Sequence, residues 1–206
     1  MTDKNKIDTV IFDVGGVLAD YRKDDYFIMK GYSDEVAQRL KAATVDSADW
    51  CEYDRGVLTD EEVRNRFKAS APDLAEEIDA SLTHMYNLVT KRDFAIPWIL
   101  SVKETGCRAY ILSNFPRTAL EDCAPALDFQ ACADGCFWSS QYKLIKPDPA
   151  IFLTMFHEFE IDPEHAVFID DSPRNIDAAE KLGLHTVLYK TRQQAQEAVR
   201  KLLSVR

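Results

Sequence analysis

Three sets of polar residues in this chain directly follow short apolar runs and carry side chains suited to catalysis or metal binding. They are Asp13, Ser113–Asn114 and Asp170–Asp171, and Lys146 lies in a loop between the second and third sets. Carboxylates that share one crevice repel each other unless a cation lies among them or some take up protons. Oxygen ligands of this kind are the ones that Mg²⁺ prefers, with waters and a substrate phosphate completing its coordination.

The same residues suit the transfer of a phosphoryl group. An aspartate can attack phosphorus and form an aspartyl-phosphate, so Asp13 is a candidate nucleophile. Ser113 and Asn114 could donate hydrogen bonds to phosphoryl oxygens, and Lys146 could balance the charge of the carboxylates. Alone, each set also fits a turn, a surface lysine or a helix cap. Their joint occurrence after strand-like runs favours an active site.

The apolar runs themselves predict the strands of a parallel sheet. They cover residues 10–12, 108–112, 165–169 and 185–189, and from residue 93 onward they alternate with helix-like segments. Alternation of this kind is typical of βαβ units. Ligands of an open parallel sheet bind beyond the carboxyl ends of its strands, where the polar residues above would meet. The expected fold is α/β, with a Rossmann-like, doubly wound parallel-sheet core.

The chain between the first apolar run and residue 93 has a different, helix-like character. Apolar residues three or four apart predict helices at 34–41, 59–68 and 73–89, with Thr59 and Glu62 as a capping box. The stretch ADWCEYDRG between the first two helices is predicted to be a loop, because Gly56 ends a cluster of polar and aromatic residues. We therefore expect a core of residues 1–18 and 93–206 with an inserted all-helical cap, residues 19–92.

Composition excludes several classes of protein. The 206-residue chain has a net charge of −10 and no basic stripe, which argues against a nucleic-acid partner but allows a small anionic ligand. Five cysteines without a CxxC pair argue against disulfides or structural zinc and suggest reduced thiols in a cytoplasm. Neither a signal-peptide-like stretch nor an apolar run near 18 residues is present, so no membrane association is expected. The oligomeric state cannot be read from the sequence.

Taken together, the motifs resemble those of the haloacid dehalogenase superfamily of phosphohydrolases. The motifs are VIFDVGGVLAD, YILSN, the lysine of KLIKPDP, and VFIDDSPRNIDAA, and they occur in the family's order. The helical segment after the first motif is similar to the family's C1-type cap. The chain also resembles bacterial sugar-phosphate phosphatases of the α-D-glucose-1-phosphate phosphatase type, which share the glycine two residues after the nucleophile and a cap segment like EYDRGVLTDEE.

This resemblance implies a Mg²⁺-dependent phosphatase that acts on a small phosphorylated metabolite, such as a sugar phosphate, through an aspartyl-phosphate. The implied metal ligands are Asp13, which is also the nucleophile, Asp171 and the Gly15 carbonyl. Asp170 and Asn175 would assist the metal site, either by holding its direct ligands or through a bound water. The implied phosphoryl-binding catalytic residues are Ser113 and Lys146, and the implied substrate-binding residues are Asn114, Gly16, Asp54 and Arg55.

One position departs from the family pattern. Most phosphatases of the superfamily have a second aspartate two positions after the nucleophile, where this chain has Gly15. A lost general acid or base lowers the rate by about 10²–10⁴-fold. Three explanations stay open: a substrate with a good leaving group, such as an anomeric phosphate; a replacement acid, with Asp54 preferred to Asp20; or a weak catalyst retained for binding. A metal-independent 2-haloacid dehalogenase is a rival, although such enzymes dispense with the acidic pair kept here as Asp170–Asp171.

Overall fold

A computed structural model describes residues 6–204, so both ends of the predicted core, residues 1–5 and 205–206, lie outside the described residues. The strands, in chain order, are β1 (Thr9–Phe12), β2 (Ala19–Tyr21), β3 (Val89–Lys91), β4 (Arg108–Ser113), β5 (Gly135–Trp138), β6 (Ala166–Asp170) and β7 (His185–Leu188). Five of them form one parallel sheet in the order β5-β4-β1-β6-β7. The chain adds β4 and then β5 on one side of β1, and β6 and then β7 on the other side. The expected doubly wound α/β fold is therefore confirmed.

The helices cover both faces of this sheet and fill the segment between β2 and β3. In chain order they are α1 (Tyr26–Met29), α2 (Asp34–Ala43), α3 (Ala48–Arg55), α4 (Asp60–Ser70), α5 (Ala75–Leu82), α6 (Ala95–Lys103), α7 (Arg117–Asp122), α8 (Ser139–Tyr142), α9 (Pro149–Glu158), α10 (Pro173–Glu180) and α11 (Arg192–Ser204), with 3₁₀ turns at Pro72–Leu74, Ala124–Cys132 and Pro163–His165. Within residues 6–204, none of these helices has both the length and the apolar character needed to cross a membrane.

The position of the central strand β1 explains the apolar run Val10–Phe12 in its sequence. All four of its residues are buried, because the strand has sheet neighbours on both sides and packed side chains on both faces. Val10 and Phe12 belong to one hydrophobic cluster, whereas Ile11 belongs to the cluster on the opposite face. The sheet therefore separates two apolar layers and holds its strand ends rigidly.

A short antiparallel ribbon joins the helical segment to the sheet. Ala19 of β2 pairs with Lys91 of β3, and Tyr21 pairs with Val89. Helices α1 to α5 lie between these two strands in the chain. This ribbon brings the two ends of the helical segment together, and the proposed division into a core and a cap of residues 19–92 stays a prediction.

The structure corrects two of the sequence-based predictions for this helical segment. The stretch ADWCEYDRG is not a loop, because its first eight residues form α3. The helix begins after Ser47, whose hydroxyl accepts a hydrogen bond from Trp50 N. It ends at Arg55 and is capped by Gly56, which has φ +77°. The capping box of Thr59 and Glu62 is present at the start of α4. The predicted helix at 73–89 instead ends at Leu82, and the chain then continues into β3.

Candidate active site

The ends of three adjacent strands bring the first, second and fourth motifs together. Asp13 follows the last residue of β1, Ser113 ends β4 and Asp170 ends β6. Since β1 lies between β4 and β6 and all three run parallel, their carboxyl ends meet at one edge of the sheet. All three side chains are buried. The convergence expected from the sequence is therefore present in the tertiary structure.

Lys146 is buried between two of these carboxylates and does not lie on the surface. Its Nζ is 2.8 Å from Asp13 Oδ1 and 2.7 Å from Asp170 Oδ2, and it also donates to the Leu112 carbonyl. Two hydrogen bonds from Asn114 hold the backbone of this lysine: Lys146 N donates to Asn114 Oδ1, and Asn114 Nδ2 donates to the Lys146 carbonyl. Asn114 thereby positions the lysine.

The fourth motif supplies one anchored and one open carboxylate. Asp170 accepts hydrogen bonds from Lys146, from Ser172 N at 2.8 Å and from Asn175 Nδ2 at 3.0 Å. The side chain of Asp171 instead lines a cavity above the sheet edge. Oxygen atoms of Asp13, Asp170 and Asp171 all lie within 4.8 Å of one another. This donor set and spacing fit a hard divalent cation such as Mg²⁺.

The charges of the site residues also favour a bound divalent cation. Burial raises the pKa of Asp13 above its usual range, although the charge of Lys146 opposes this shift. Burial and the neighbouring charge of Asp170 raise the pKa of Asp171. For Lys146, burial alone would lower the pKa, but Asp13 and Asp170 outweigh it and the pKa rises. Three carboxylates around one ammonium group leave an excess of negative charge that a divalent cation would balance.

The cavity has a volume of about 390 Å³ and lies between the sheet edge and the helical segment. Its lining contains predicted site residues from both sides, namely Asp13, Gly15, Gly16, Asp54, Ser113, Asn114, Lys146, Asp171 and Asn175, together with Asp20, Tyr21, Lys23, Trp50, Leu88, Val89, Arg92, Phe115 and Pro116. Arg55 is absent from this lining, and its Nε lies 3.5 Å from Glu52 Oε1 instead. Successive side chains on a helix point about 100° apart, and here Asp54 faces the cavity while Arg55 is turned towards Glu52.

Sequence reasoning did not identify Arg92 as a residue of this cavity. Its guanidinium donates to the Gly16 carbonyl at 2.7 Å and to the Tyr189 hydroxyl at 3.1 Å, and it lies 2.7 Å from Asp20 Oδ1. Arg92 follows β3 and Asp20 belongs to β2, so only the pairing of the ribbon brings them together. No local sequence signal predicts this contact.

The comparisons with known proteins place the chain in a family. The model of the haloacid dehalogenase-like hydrolases matches residues 7–183, and the chain belongs to this family. The resemblance of the four motifs to this family is therefore confirmed.

Curated relatives differ in how much of their length the chain matches. The chain is 26% identical over 168 residues to drimenol cyclase drtB of Aspergillus calidoustus, which covers 80% of this chain but 32% of that protein. It is 26% identical over 196 residues to acyl-CoA dehydrogenase family member 10 of Mus musculus, covering 86% of this chain and 17% of that protein. It is 27% identical over 191 residues to D-ribitol-5-phosphate phosphatase of Bacteroides thetaiotaomicron, covering 87% of this chain and 90% of the relative. The chain thus spans a third or less of the first two.

Solved structures share the fold at low identity. A HAD family enzyme from Bacteroides thetaiotaomicron, in a magnesium complex, has a TM-score of 0.72 at 22% identity and covers 94% of this chain and 98% of that chain. L-2-haloacid dehalogenase from Xanthobacter autotrophicus has a TM-score of 0.66 at 16% identity, covering 97% of this chain and 85% of that chain. Both a magnesium-binding enzyme and a dehalogenase therefore have this fold, and only the site residues can separate the two activities.

Proposed function

We propose that this protein is a Mg²⁺-dependent phosphomonoester hydrolase that acts on a small phosphorylated metabolite, in particular a sugar phosphate. The observation that carries the proposal is the placement of the Asp13 carboxylate, 2.8 Å from Lys146 Nζ and within 4.8 Å of the acidic pair Asp170–Asp171, beside a cavity of about 390 Å³. In this proposal Asp13 attacks phosphorus and forms an aspartyl-phosphate, which water then hydrolyses.

Each residue of the site has a role in this reaction. Asp13, Asp171 and the Gly15 carbonyl would hold Mg²⁺ directly, with Asp170 acting through water, and the bound ion would supply charge neutralisation for the phosphoryl oxygens. Ser113 and Lys146 bind the phosphoryl group through hydrogen bonds and charge. Asn114 keeps Lys146 in place through its two backbone hydrogen bonds.

The size and charge of the site support a small substrate. A cavity of about 390 Å³ is in the range of metabolite-binding sites. The net charge of −10 disfavours a polyanionic substrate such as nucleic acid. Two relatives support a phosphorylated carbohydrate, since one is a D-ribitol-5-phosphate phosphatase and another, from Thermotoga maritima, is a phosphorylated carbohydrates phosphatase.

The alternatives use the same scaffold. A 2-haloacid dehalogenase would share the roles of Asp13, Ser113 and Lys146, but it has no need for a cation. The close grouping of Asp170 and Asp171 with Asp13 favours the metal-dependent hydrolase. A protein that binds phosphorylated ligands without turnover would use the same cavity, and it would retain binding when the nucleophile is removed.

The experiment that tests the proposal is a phosphate-release assay on a panel of sugar phosphates, nucleotides and an aryl phosphate, with Mg²⁺ and after chelation. We expect Mg²⁺-dependent release by the wild-type protein and none by Asp13→Asn. Asp8→Asn is the matched control, because Asp8 lies at the other end of β1, is half exposed, and faces Arg108 at 3.6 Å. Release of chloride from 2-chloropropionate without metal would instead identify a dehalogenase. Absence of Mg²⁺-dependent release from the whole panel would contradict the proposal.

A further inference from the structure

We propose that Asp54, from the helical segment, donates the proton to the leaving group and thereby takes the role for which Gly15 has no side chain. This inference rests on the proposed function and deepens it. The sequence left several explanations open for the missing acid at Gly15, and replacement by Asp54 was one of them. The contacts within the cavity favour this explanation.

Four acidic residues from the described part of the chain line the cavity. They are Asp13, Asp20, Asp54 and Asp171. Asp13 and Asp171 belong to the cluster that fits a cation, and Asp20 is paired with Arg92 at 2.7 Å. Within residues 6–204, the carboxyl group of Asp54 has neither a hydrogen bond nor an ion pair to a protein group. It is therefore the one lining acid, among the described residues, that is free to exchange a proton with a ligand.

The backbone of Asp54 is fixed against the core beside the site. The Ser139 hydroxyl donates to the Asp54 carbonyl and accepts a hydrogen bond from Phe115 N at 2.8 Å. Phe115 directly follows Ser113–Asn114. Two residues beyond Asp54, a Cβ atom at Gly56 would lie 2.3 Å from the Ser140 carbonyl oxygen, so the end of α3 rests on the core without a gap. The Asp54 carboxyl group is thus held at the cavity.

The protonation state of Asp54 supports the role. Burial raises its pKa to about 8, although the charge of Lys146 opposes the shift. The other titratable groups that interact with Asp54 are Tyr21 and Cys51, and the pKa of each is raised, mainly by burial, so both are neutral near pH 7. At neutral pH the carboxyl group therefore carries the proton that a general acid must donate.

The reaction balances with Asp54 in this role. A carboxylate oxygen of Asp13 attacks phosphorus, the bond from phosphorus to the leaving oxygen breaks, and that oxygen takes both the bonding electron pair and the proton of Asp54. Water then attacks the aspartyl-phosphate and gives a proton to the Asp54 carboxylate. The bond between phosphorus and Asp13 breaks, the electron pair returns to Asp13, and inorganic phosphate leaves with Asp54 protonated again.

The test compares substrates whose leaving groups need different amounts of protonation. For Asp54→Asn we expect kcat on an alkyl phosphate such as a primary sugar phosphate to fall by about 10²–10⁴-fold, and kcat on p-nitrophenyl phosphate to fall by about tenfold or less. Asp49→Asn is the matched control, because Asp49 lies on the same helix, pairs with Arg66 at 2.8 Å and is not part of the cavity lining. It is expected to leave both rates unchanged.

Two further measurements separate a proton donor from a structural residue. Wild-type kcat on the alkyl phosphate should decline as pH rises above about 8, and Asp54→Asn should lack this decline. Gly15→Asp in the Asp54→Asn background should restore alkyl phosphate hydrolysis, because a Cβ atom at Gly15 meets Tyr21 Cβ at an ordinary 3.7 Å. An equal loss on both substrates would overturn the inference while leaving the phosphatase proposal intact. An inactive wild-type protein would instead contradict the phosphatase proposal.

Discussion

Gly16 and Asp171 lie so close together that a Cβ atom at position 16 would be 2.1 Å from Asp171 Oδ2. Gly16 also has φ +74°, a conformation that favours glycine. The turn after β1 and the carboxylate after β6 are therefore in direct contact. The missing side chain of Gly16 is what allows Asp171 to lie beside the turn that carries Asp13 and Gly15.

We expect Gly16→Ala to abolish the proposed Mg²⁺-dependent phosphatase activity, because the new methyl group must displace the Asp171 carboxylate. A misplacement of about 1 Å at a reacting centre can cost about 10²-fold in rate. The activity is measured by phosphate release, and the free energy of unfolding by urea titration. The left-handed backbone alone costs roughly 1–2 kcal/mol for a residue with a side chain.

The matched control for this change is Gly106→Ala. Gly106 has φ +86°, and a Cβ atom there would meet nothing within 4 Å. It should therefore lose a similar amount of stability but keep its activity. If both variants lose activity in proportion to their stability, the contact between Gly16 and Asp171 is not the cause.

The two adjacent aspartates of the fourth motif should respond differently to replacement by asparagine. Asp171→Asn removes a proposed direct ligand that lines the cavity. We expect the Mg²⁺ concentration that gives half-maximal activity to rise by at least about 10–100-fold. This is the range typical of milder changes, which affect the surroundings of a metal site and not a direct ligand. The free energy of unfolding without Mg²⁺ should not fall, since Asp171 lies outside the Lys146 ion pair.

Asp170→Asn, in contrast, should lower both stability and activity. Asp170 is fully buried and accepts hydrogen bonds from Lys146, Ser172 N and Asn175, which an asparagine cannot match. Each lost hydrogen bond to a charged group is worth about 1.5–3 kcal/mol. Thermal unfolding with and without Mg²⁺ measures both effects. Equal Mg²⁺ dependence in the two variants would contradict the assignment of Asp171 as the direct ligand.

Lys146→Met should destabilise the protein by about 3–5 kcal/mol near neutral pH, because it leaves the Asp13 and Asp170 carboxylates buried without their shared cation. Lys146 lowers the pKa of Asp13, so its loss raises that pKa further. A folded-state pKa above the unfolded one destabilises the fold increasingly as pH rises, and the deficit should therefore be smaller at pH 5 than at pH 8.

Lys103→Met provides the comparison for this variant. Its Nζ lies 2.6 Å from Asp134 Oδ1, but both side chains are about one third exposed. Such a pair contributes about 0–1 kcal/mol, so urea unfolding should show a small loss. An equally small loss for Lys146→Met would show that the buried carboxylates do not depend on the lysine.

Two neighbouring serines provide a prediction about the contact between α3 and the core. Ser139→Ala removes the hydroxyl that joins the Asp54 carbonyl to Phe115 N, and we expect a loss of about 1–3 kcal/mol in the free energy of unfolding. Ser140→Ala is the control, because the Ser140 hydroxyl is also buried but has no hydrogen-bond partner among residues 6–204. Its removal should leave stability unchanged or raise it. A loss of the same size in both variants would contradict the role of Ser139.

The helical segment shows where local sequence signals succeed and where they fail. Thr59 and Glu62 predict the start of α4 because the capping box satisfies backbone groups within one turn. The same kind of signal exists for α3, with Ser47 as its N-cap and Gly56 directly after its last residue, but five of its eight residues are Asp, Trp, Cys or Tyr, which have weak helix propensity. Packing of the buried Trp50 and Tyr53 determines that this segment is a helix.

The sheet was predictable apart from one edge. Strands β1, β4 and β6 are buried on both faces and therefore contain apolar runs, each followed directly by a polar residue: Asp13, Ser113 and Asp170. Strand β5 escaped prediction, because Gly135–Trp138 is short and begins with glycine, a residue that disfavours strands.

The amino-acid sequence alone identifies the candidate catalytic residues, and it predicts that parallel strands bring Asp13, Ser113 and Asp170 to one edge of the sheet. Burial and strand direction follow from patterns that are local in the chain. Two features are visible only in the folded chain: Asp54 faces the cavity while Arg55 does not, and Arg92 contacts the Gly16 carbonyl across the ribbon. These contacts depend on the rotation of a helix and the pairing of distant strands, which are set by packing of the whole chain and leave no short-range signal.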